Sequence, residues 1–489
     1  MKLSNKALEK LKTKQGVITP QYNRSEITCG IMHMSIGGFH RSHQAVYIDN
    51  ILSQGHSDWG ICAVGLMPQD KENIIHLNQQ DTLYTVLERS ADKDKARIIG
   101  SITEVLHAPT APKKVLDKLS LESIKILSLT ITEKGYCYDS NQNLDQESPL
   151  IQHDVQNLES PKTAIGYIVS GLKQRKENGQ IPFTVVSCDN LPGNGHLTQK
   201  LVLQFAALID SDLKTWIANH VTFPNSMVDR ITPVTTPDII ETLSNHFDIN
   251  DAWPVICEDY IQWILEDTFC NSHPPFEDAG VQIVKNVDCY EKMKVRLLNG
   301  SHSALSYISF LMGYTEVDIA MKDPLINSFV RAYMDNDITP TLPPVHGIDL
   351  DSYKETLINR FSNPAISDQV QRLAEDGSQK IPNAILPCLH HQFKNNGSVR
   401  YIILALAGWF KYLTAIDEQG NHIEIKDPLA LKLTKAAKEN PNTPEALLQI
   451  DEIFGADLSH NQELIELLSE TMAYINTHGV KSALKNALS

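Results

Sequence analysis

Short apolar runs alternate with amphipathic stretches through the N-terminal half of the chain. After a polar leader, residues 27–36 form an apolar run that ends at Gly37-Gly38, and a segment with mixed helical character follows over 43–53. Residues 59–66 make a compact run suited to a sheet interior. Pro112 precedes a helix over 113–119, and 124–131 and 183–187 are β-branched or apolar enough for strands. Pro237, behind a Thr236 cap, opens a helix over 238–243. Short strands separated by helical stretches predict a parallel sheet with crossover helices.

From about residue 285 the texture changes. Segments 291–312, 324–335, 353–361, 366–375, 398–413, 443–454 and 461–477 are long enough for helices, with few strand-like runs between them. The chain is therefore read as α/β: a parallel-sheet domain over 1–284 and a mostly α-helical domain over 285–489. No internal repeat or heptad series is visible, and the acidic stretch 417–421 reads as a solvated loop.

A length of 489 residues suits two or three domains with sizeable cores. Forty-three basic against fifty-nine acidic residues give a net charge of −16, which argues against a nucleic-acid-binding surface. The longest apolar run, 401–410, has ten residues and is too short to span a bilayer as a helix. The N-terminus carries Lys and Glu where a signal peptide needs apolar residues. A soluble cytoplasmic protein is the expectation, with neither nucleic acid nor membrane as partner. The eight cysteines, at 29, 62, 137, 188, 257, 270, 289 and 388, form no CxxC pair and predict free thiols, with no structural zinc site.

Two segments carry candidate chemistry. A dinucleotide site needs a tight turn after the first strand, so that backbone N–H groups meet the pyrophosphate at a helix N-terminus. Ser35-Ile36-Gly37-Gly38-Phe39-His40 has the right place and length, but Ser35 stands at the first glycine position and His40 at the last. An ordinary strand-to-helix loop is the competing reading. Arg41 is close enough to assist a phosphate, although a lone Arg at a loop is more often a surface ion pair. Asp70, past the second strand, is either a carboxylate for the adenosine ribose, which would disfavour the 2′-phosphate of NADP, or a helix cap.

The second segment, 291–305, sets Lys294, Asn299 and His302 in a largely apolar helix. On an α-helix His302 lies about 80° and Asn299 about 140° from Lys294, so the three line a broad surface rather than a narrow stripe. Such a set suits alcohol oxidation. A desolvated lysine takes the hydroxyl proton, asparagine amides hold the developing oxyanion, and a neutral histidine orients a neighbouring hydroxyl. A polar interdomain face is the alternative. One histidine here gives zinc no ligand set, so no metal is expected. Gly300 permits close approach of a ligand or another backbone. Asn190, ending a probable strand, and Asp229, near another strand end, are further candidates, each on its own more readily a turn residue.

GGFHRSHQ (37–44), WGICAVGL (59–66), SLTITEKGYC (128–137), VVSCDNLPGNG (185–195), FPNSMVDRITP (223–233) and KVRLLNGSHSAL (294–305) together resemble the long-chain polyol dehydrogenases, the mannitol dehydrogenase family. The likeness runs from about residue 25 to the C-terminus, and segments 251–269 and 333–350 are most similar to its mannitol-oxidising members. It implies a Rossmann-like N-terminal domain, NAD as cofactor, a polyol or ketose substrate, a monomer, and reversible oxidation of D-mannitol to D-fructose without metal. Reduction of fructuronate or tagaturonate is the alternative within the family. An NAD-associated sugar epimerase and a catalytically dead sugar-binding regulator are the readings outside it. The resemblance makes Lys294 the general acid/base, sets Asn190 and Asn299 beside the reacting oxygen, and gives His302 a substrate hydroxyl. Asp229 and Arg372 position the sugar alcohol, Glu291 lines a proton route, and Lys380 reaches the same site. Gly37, Gly38, Phe39, Asp70 and Glu133 fall to the cofactor site.

Overall fold

A computed structural model describes residues 1–90 and 93–489. The chain separates into two compact units, Met1–Asp288 and Cys289–Ser489.

The first unit contains β1 (Val17–Ile18), β2 (Cys29–Met34), β3 (Gly60–Gly65), β4 (Tyr84–Arg89), β5 (Asp94–Ile99) and β6 (Ile102–His107). It continues with β7 (Ile126–Leu129), β8 (Thr184–Ser187), β9 (Ser226–Asp229), β10 (Val255–Glu258), β11 (Gln262–Glu266) and β12 (Gln282–Val284). Five of these form an all-parallel sheet in the order β6-β3-β2-β7-β8, with β2 central. The order reverses on either side of β2, the topological switch point at which open α/β sheets bind ligands. Alternating residues serve opposite faces. Met32, Cys62, Val64 and Leu127 pack with the helices 112–119, 164–177 and 194–209, whereas Ile31, Ile61, Ala63 and Ile126 pack with the helix Gln44–Ser53. Burial on both faces explains why these strands are continuous apolar runs.

Two smaller sheets go beyond the simple parallel expectation. One, in the order β1-β5-β4-β10, contains the antiparallel pair β4/β5; the other, β12-β11-β9, contains the antiparallel pair β11/β9. Asp229 closes β9, opposite Gln262 of β11.

The second unit is helical; among its described residues the extended pairings are the isolated bridges Glu316↔Gln369 and Ile416↔His422. At its centre the helix Gly300–Leu311 packs on the helices Arg400–Tyr412 and Val370–Ala374. Buried Asp337 starts the apolar helix Arg400–Tyr412 by accepting the N–H groups of Tyr401 at 2.7 Å and Ile402 at 2.8 Å. No helix among the described residues is long and apolar enough to cross a membrane. Three helical expectations are corrected. The segment 366–375 is helical only over Val370–Ala374, because Asp368 and Gln369 pair with the strand-like residues before Val317. The segment 443–454 divides into Glu445–Leu448 and Asp451–Ser459. The segment 291–312 is not one α-helix, as described below.

Ser35, after the central strand, has φ +86°, in the left-handed region where a Cβ is strained. Its N–H donates to the Val64 carbonyl at 2.8 Å, so the turn is held by β3. Replacing Ser35 by Gly is expected to stabilise the first unit by about 1 kcal/mol, read as a higher denaturant midpoint. A lower midpoint would show that the serine side chain carries a contact outweighing the strain.

Candidate active site

The turn after β2 solves each of the three glycine requirements differently. The first position needs a positive φ, which Ser35 adopts under strain. The second must leave backbone open to a pyrophosphate. A Cβ at Gly37 would meet nothing within 4 Å except the Ser35 hydroxyl at 3.8 Å, so the space above the helix Gly38–Ser42 is open. Gly38 is less constrained, since a Cβ there makes ordinary contacts with Thr232 at 3.6 Å and Val255 at 4.0 Å. The third position normally brings helix and strand together. Here His40 fills it by stacking its ring on His33 of β2, with centroids 3.4 Å apart and planes 11° from parallel. His33 is fixed in turn, with Nδ1 2.7 Å from the Ser128 hydroxyl and Nε2 2.8 Å from the Thr130 hydroxyl. Burial holds His33 well below the usual histidine range and pushes His40 down to about 3, so both rings are neutral.

Below the turn, His40 and Gln44 face a cavity of about 10 Å³ whose other walls are mainly Ile31, Ile61, Ile126 and Trp263. The His40 ring and the Gln44 amide lie within reach of one another, and Gln44 also reaches the Cys188 thiol. The cavity is about the size of one water, and its walls are mostly apolar.

Arg41 corrects a sequence expectation. It is buried rather than a surface ion pair, lies over the Trp253 ring at 3.6 Å and donates from Nη1 to the Trp253 carbonyl at 2.6 Å. A second buried guanidinium was missed altogether. Arg230 donates to the Ser42 carbonyl at 2.6 Å and to the Glu258 carbonyl, and pairs with Glu88 at 2.8 Å, tying the cofactor-turn helix to β4 and β10. Its only sequence signal was its place beside Asp229 in a family-like segment.

The other candidates of this unit stand at the carboxyl ends of the sheet strands. Asp70 is the first residue of the helix Asp70–Asn78, and its Oδ2 accepts the Met67 N–H of the preceding loop at 2.9 Å. Glu133, exposed after β7, accepts from the Tyr138 hydroxyl at 2.6 Å. Phe39 stacks on His43 at 4.9 Å. Asn190 is exposed beyond β8, and its neighbour Asp189 accepts the N–H groups of Ile131 and Thr132 at 3.0 and 2.8 Å and the Tyr136 hydroxyl at 2.7 Å. Asn194 bonds the Asp189 carbonyl at 3.0 Å and the Ser226 carbonyl at 2.8 Å, joining the loop after β8 to the start of β9. Asp229 is buried at the end of β9.

In the second unit, Lys294 and Asn299 are the first and last residues of a π-helical turn, Lys294–Asn299, set between the α-helices Asp288–Met293 and Gly300–Leu311. The turn closes through the Gly300 N–H, which donates to the Val295 carbonyl five residues back. A π turn holds more than four residues, so residue i+5 returns nearly over residue i. Lys294 and Asn299 consequently share one side, and the 140° separation expected of an α-helix does not apply. Lys294 is 7 % exposed, the desolvated setting that a lysine base requires. Glu291 is half-buried one turn before it.

Half-buried His302 lies one turn further on, its ring 4.7 Å from that of Phe361. Burial pushes its pKa down to about 3; nearby Asp368 opposes the shift, while Arg372, Arg360 and Lys380 add to it. Arg372 is exposed and held by Asp368, with Nε 2.7 Å from Oδ1. Lys380 donates to the Leu373 carbonyl at 3.2 Å, and burial lowers its pKa. No group of three or more His, Cys, Asp or Glu side chains that could hold a metal is found among the described residues.

A parallel sheet with a nucleotide-type turn after its central strand, joined to a helical unit carrying a buried lysine, defines a two-domain Rossmann-type dehydrogenase. The mannitol dehydrogenase Rossmann domain model matches residues 29–278, and the mannitol dehydrogenase C-terminal domain model matches 286–476. The chain belongs to the mannitol dehydrogenase family, and so is an oxidoreductase of polyols. Mannitol 2-dehydrogenase of Pyricularia oryzae is 40% identical over 492 residues, covering 99% of this chain and 98% of the relative. The ternary complex of Pseudomonas fluorescens mannitol 2-dehydrogenase with NAD and D-mannitol has a TM-score of 0.88 at 43% identity, covering 100% of this chain and 99% of that one. A substrate-free D-sorbitol dehydrogenase has a TM-score of 0.92 at 34% identity, covering 99% of this chain and 100% of that one.

The desolvated rings of His33, His40 and His302 generate an acid dependence. Each stays neutral in the fold, whereas the unfolded chain protonates each near its ordinary value of 6.5. Stability is therefore fully present above about pH 6.5 and falls as the pH drops towards about 3, because only the unfolded state takes up these protons. His40→Phe, which keeps a stacking ring, should lose less stability than the wild type between about pH 7 and pH 5 in denaturant titrations. Identical pH slopes for the two proteins would refute a neutral His40.

Proposed function

We propose that this protein catalyses the reversible NAD-dependent oxidation of D-mannitol to D-fructose. The carrying observation is the π turn that sets a buried lysine and an asparagine amide on one side of a helix, with a neutral histidine one turn away. Support for the substrate comes from the Pseudomonas fluorescens enzyme, whose ternary complex holds NAD and D-mannitol. The residues of the β2 turn fit a dinucleotide, since Gly37 leaves open backbone where a side chain would intrude. Gly37, Gly38 and Phe39 would hold its pyrophosphate end, and Asp70 and Glu133 stand at the neighbouring strand ends. NAD, when bound, supplies the hydride acceptor.

Lys294, uncharged, takes the proton of the C2 hydroxyl during oxidation and returns it during reduction. The Asn299 amide donates to the same oxygen, stabilising it as negative charge develops. Neutral His302 orients an adjacent hydroxyl, and Glu291 carries the proton between Lys294 and water. The same reading gives Asn190 the second amide on the oxygen, and gives Asp229, Arg372 and Lys380 hydroxyls of the sugar alcohol.

Lys294→Ala should reduce turnover by about 10³-fold or more, with NADH binding, followed by fluorescence titration, retained. Near-normal turnover would remove the lysine from the mechanism. Initial rates with NAD and NADP against D-mannitol, D-sorbitol, D-arabinitol, D-fructose, fructuronate and tagaturonate test the substrate. A uronate reduced faster than fructose would overturn the mannitol assignment.

A further inference from the structure

We propose that Tyr333 is a positioning residue for the reaction: its buried ring and hydroxyl hold the π turn in the register that puts Lys294 and Asn299 on one side. This rests on the assignment of Lys294 as the base. The observation behind it is the place of Gly300. The Gly300 N–H closes the π turn, and a Cβ on this residue would lie 2.8 Å from the Tyr333 hydroxyl and 3.5 Å from the Ala384 carbonyl. The tyrosine thus occupies the space that any other side chain at 300 would need.

Tyr333 is fully buried, and among the described residues its hydroxyl has no hydrogen-bond partner. A buried hydroxyl without a partner is costly, so the side chain acts here through its shape rather than through a hydrogen bond. The ring has little room to retreat, being packed beside Phe329 and Gly300 in the interior of the unit. Tyr333 also begins a second π turn, Tyr333–Ile338, closed by the Thr339 N–H donating to the Met334 carbonyl. The two turns are joined again where Arg296, inside the first, donates to the Thr341 carbonyl at 2.7 Å just beyond the second. Sliding the first turn into α-helical register would rotate Asn299 away from Lys294 and drive the backbone at 300 past the tyrosine. The wedge opposes that slide.

The test is a rescue. Gly300→Ala should lower kcat for mannitol oxidation at least tenfold, with NADH affinity within twofold of wild type. The double variant G300A/Y333F, which removes the oxygen that the new methyl meets, should recover most of that loss. Tyr333→Leu, which leaves Gly300 intact but removes the wedge, should lower kcat more than it raises KM for the polyol and shift the pH profile of kcat. Wild-type kcat in G300A, or a double variant no better than G300A, overturns the inference. If G300A does not fold, a wild-type kcat and pH profile in Tyr333→Leu overturns it. Lys294→Ala run alongside separates the two questions: an active K294A enzyme removes the base, whereas an inactive K294A enzyme with a normal G300A enzyme removes only the role of Tyr333.

Discussion

The backbone hydrogen bond from the Gly300 N–H to the Val295 carbonyl decides which way Lys294 and Asn299 face. Were that N–H to reach the residue four back, the helix from Asp288 onward would continue regularly and Asn299 would face well away from Lys294. The wider turn lets one helical segment present an amine and an amide together without a loop, on a backbone buried on its other sides by Leu297 and Leu298. A site on packed helix is placed more precisely than one on a free loop, which suits proton transfer to a single hydroxyl. A π turn gives up favourable α-helical geometry, and it persists here because its neighbours are shaped around it.

The first unit meets the opposite problem, since its candidate residues lie on loops at the strand ends. There the rigidity comes from buried polar side chains that bond loop backbone. Asp189 binds two N–H groups of the loop after β7, Asn194 joins the loop after β8 to β9, and Arg230 takes carbonyls from the turn helix and from β10. Each such group loses hydration on burial, and each recovers it through several hydrogen bonds, so loss of one partner would leave others unsatisfied. Burial raises the Asp189 carboxyl above its usual range, with its three bonds opposing the shift.

Much of this architecture was legible in the sequence because its physics is local. The strands around 29–34, 60–65, 126–129 and 184–187 are short apolar runs, and the first helical residue Pro237 follows from its fixed φ and missing N–H. The π turn was illegible. KVRLLNGSHSAL has unbroken helical character, and only tertiary contacts with Tyr333 and Ala384 distinguish a five-residue bond from a four-residue one. His40 misled for a related reason. In the place of a glycine it looks like a defect of the nucleotide turn, but its partner His33 lies on the preceding strand and turns a clash into a stack. Arg41, expected outside, is buried against the Trp253 ring and carbonyl, and Arg230 is buried among backbone carbonyls and beside Glu88. The strands β9 to β12 were largely missed, since strands of three to five residues in small sheets carry little pattern of their own.

The cations near His302 bear on the choice between a neutral polyol and a sugar acid. A carboxylate substrate would favour a guanidinium free to meet it in a two-pronged pair. Arg372 already spends that geometry on Asp368, with Nε and Nη2 directed at the two carboxylate oxygens. Lys380 donates to a backbone carbonyl, and burial lowers its pKa. Positive charge around His302 is in this way partly answered from within the unit, by Asp368. Burial chiefly keeps the imidazole neutral, and the positive field of Arg372, Arg360 and Lys380 adds to it, so the ring can donate from one nitrogen and accept at the other. Such a mixed donor and acceptor is matched to a hydroxyl, which is both. A carboxylate only accepts, so it would engage the imidazole through one nitrogen alone.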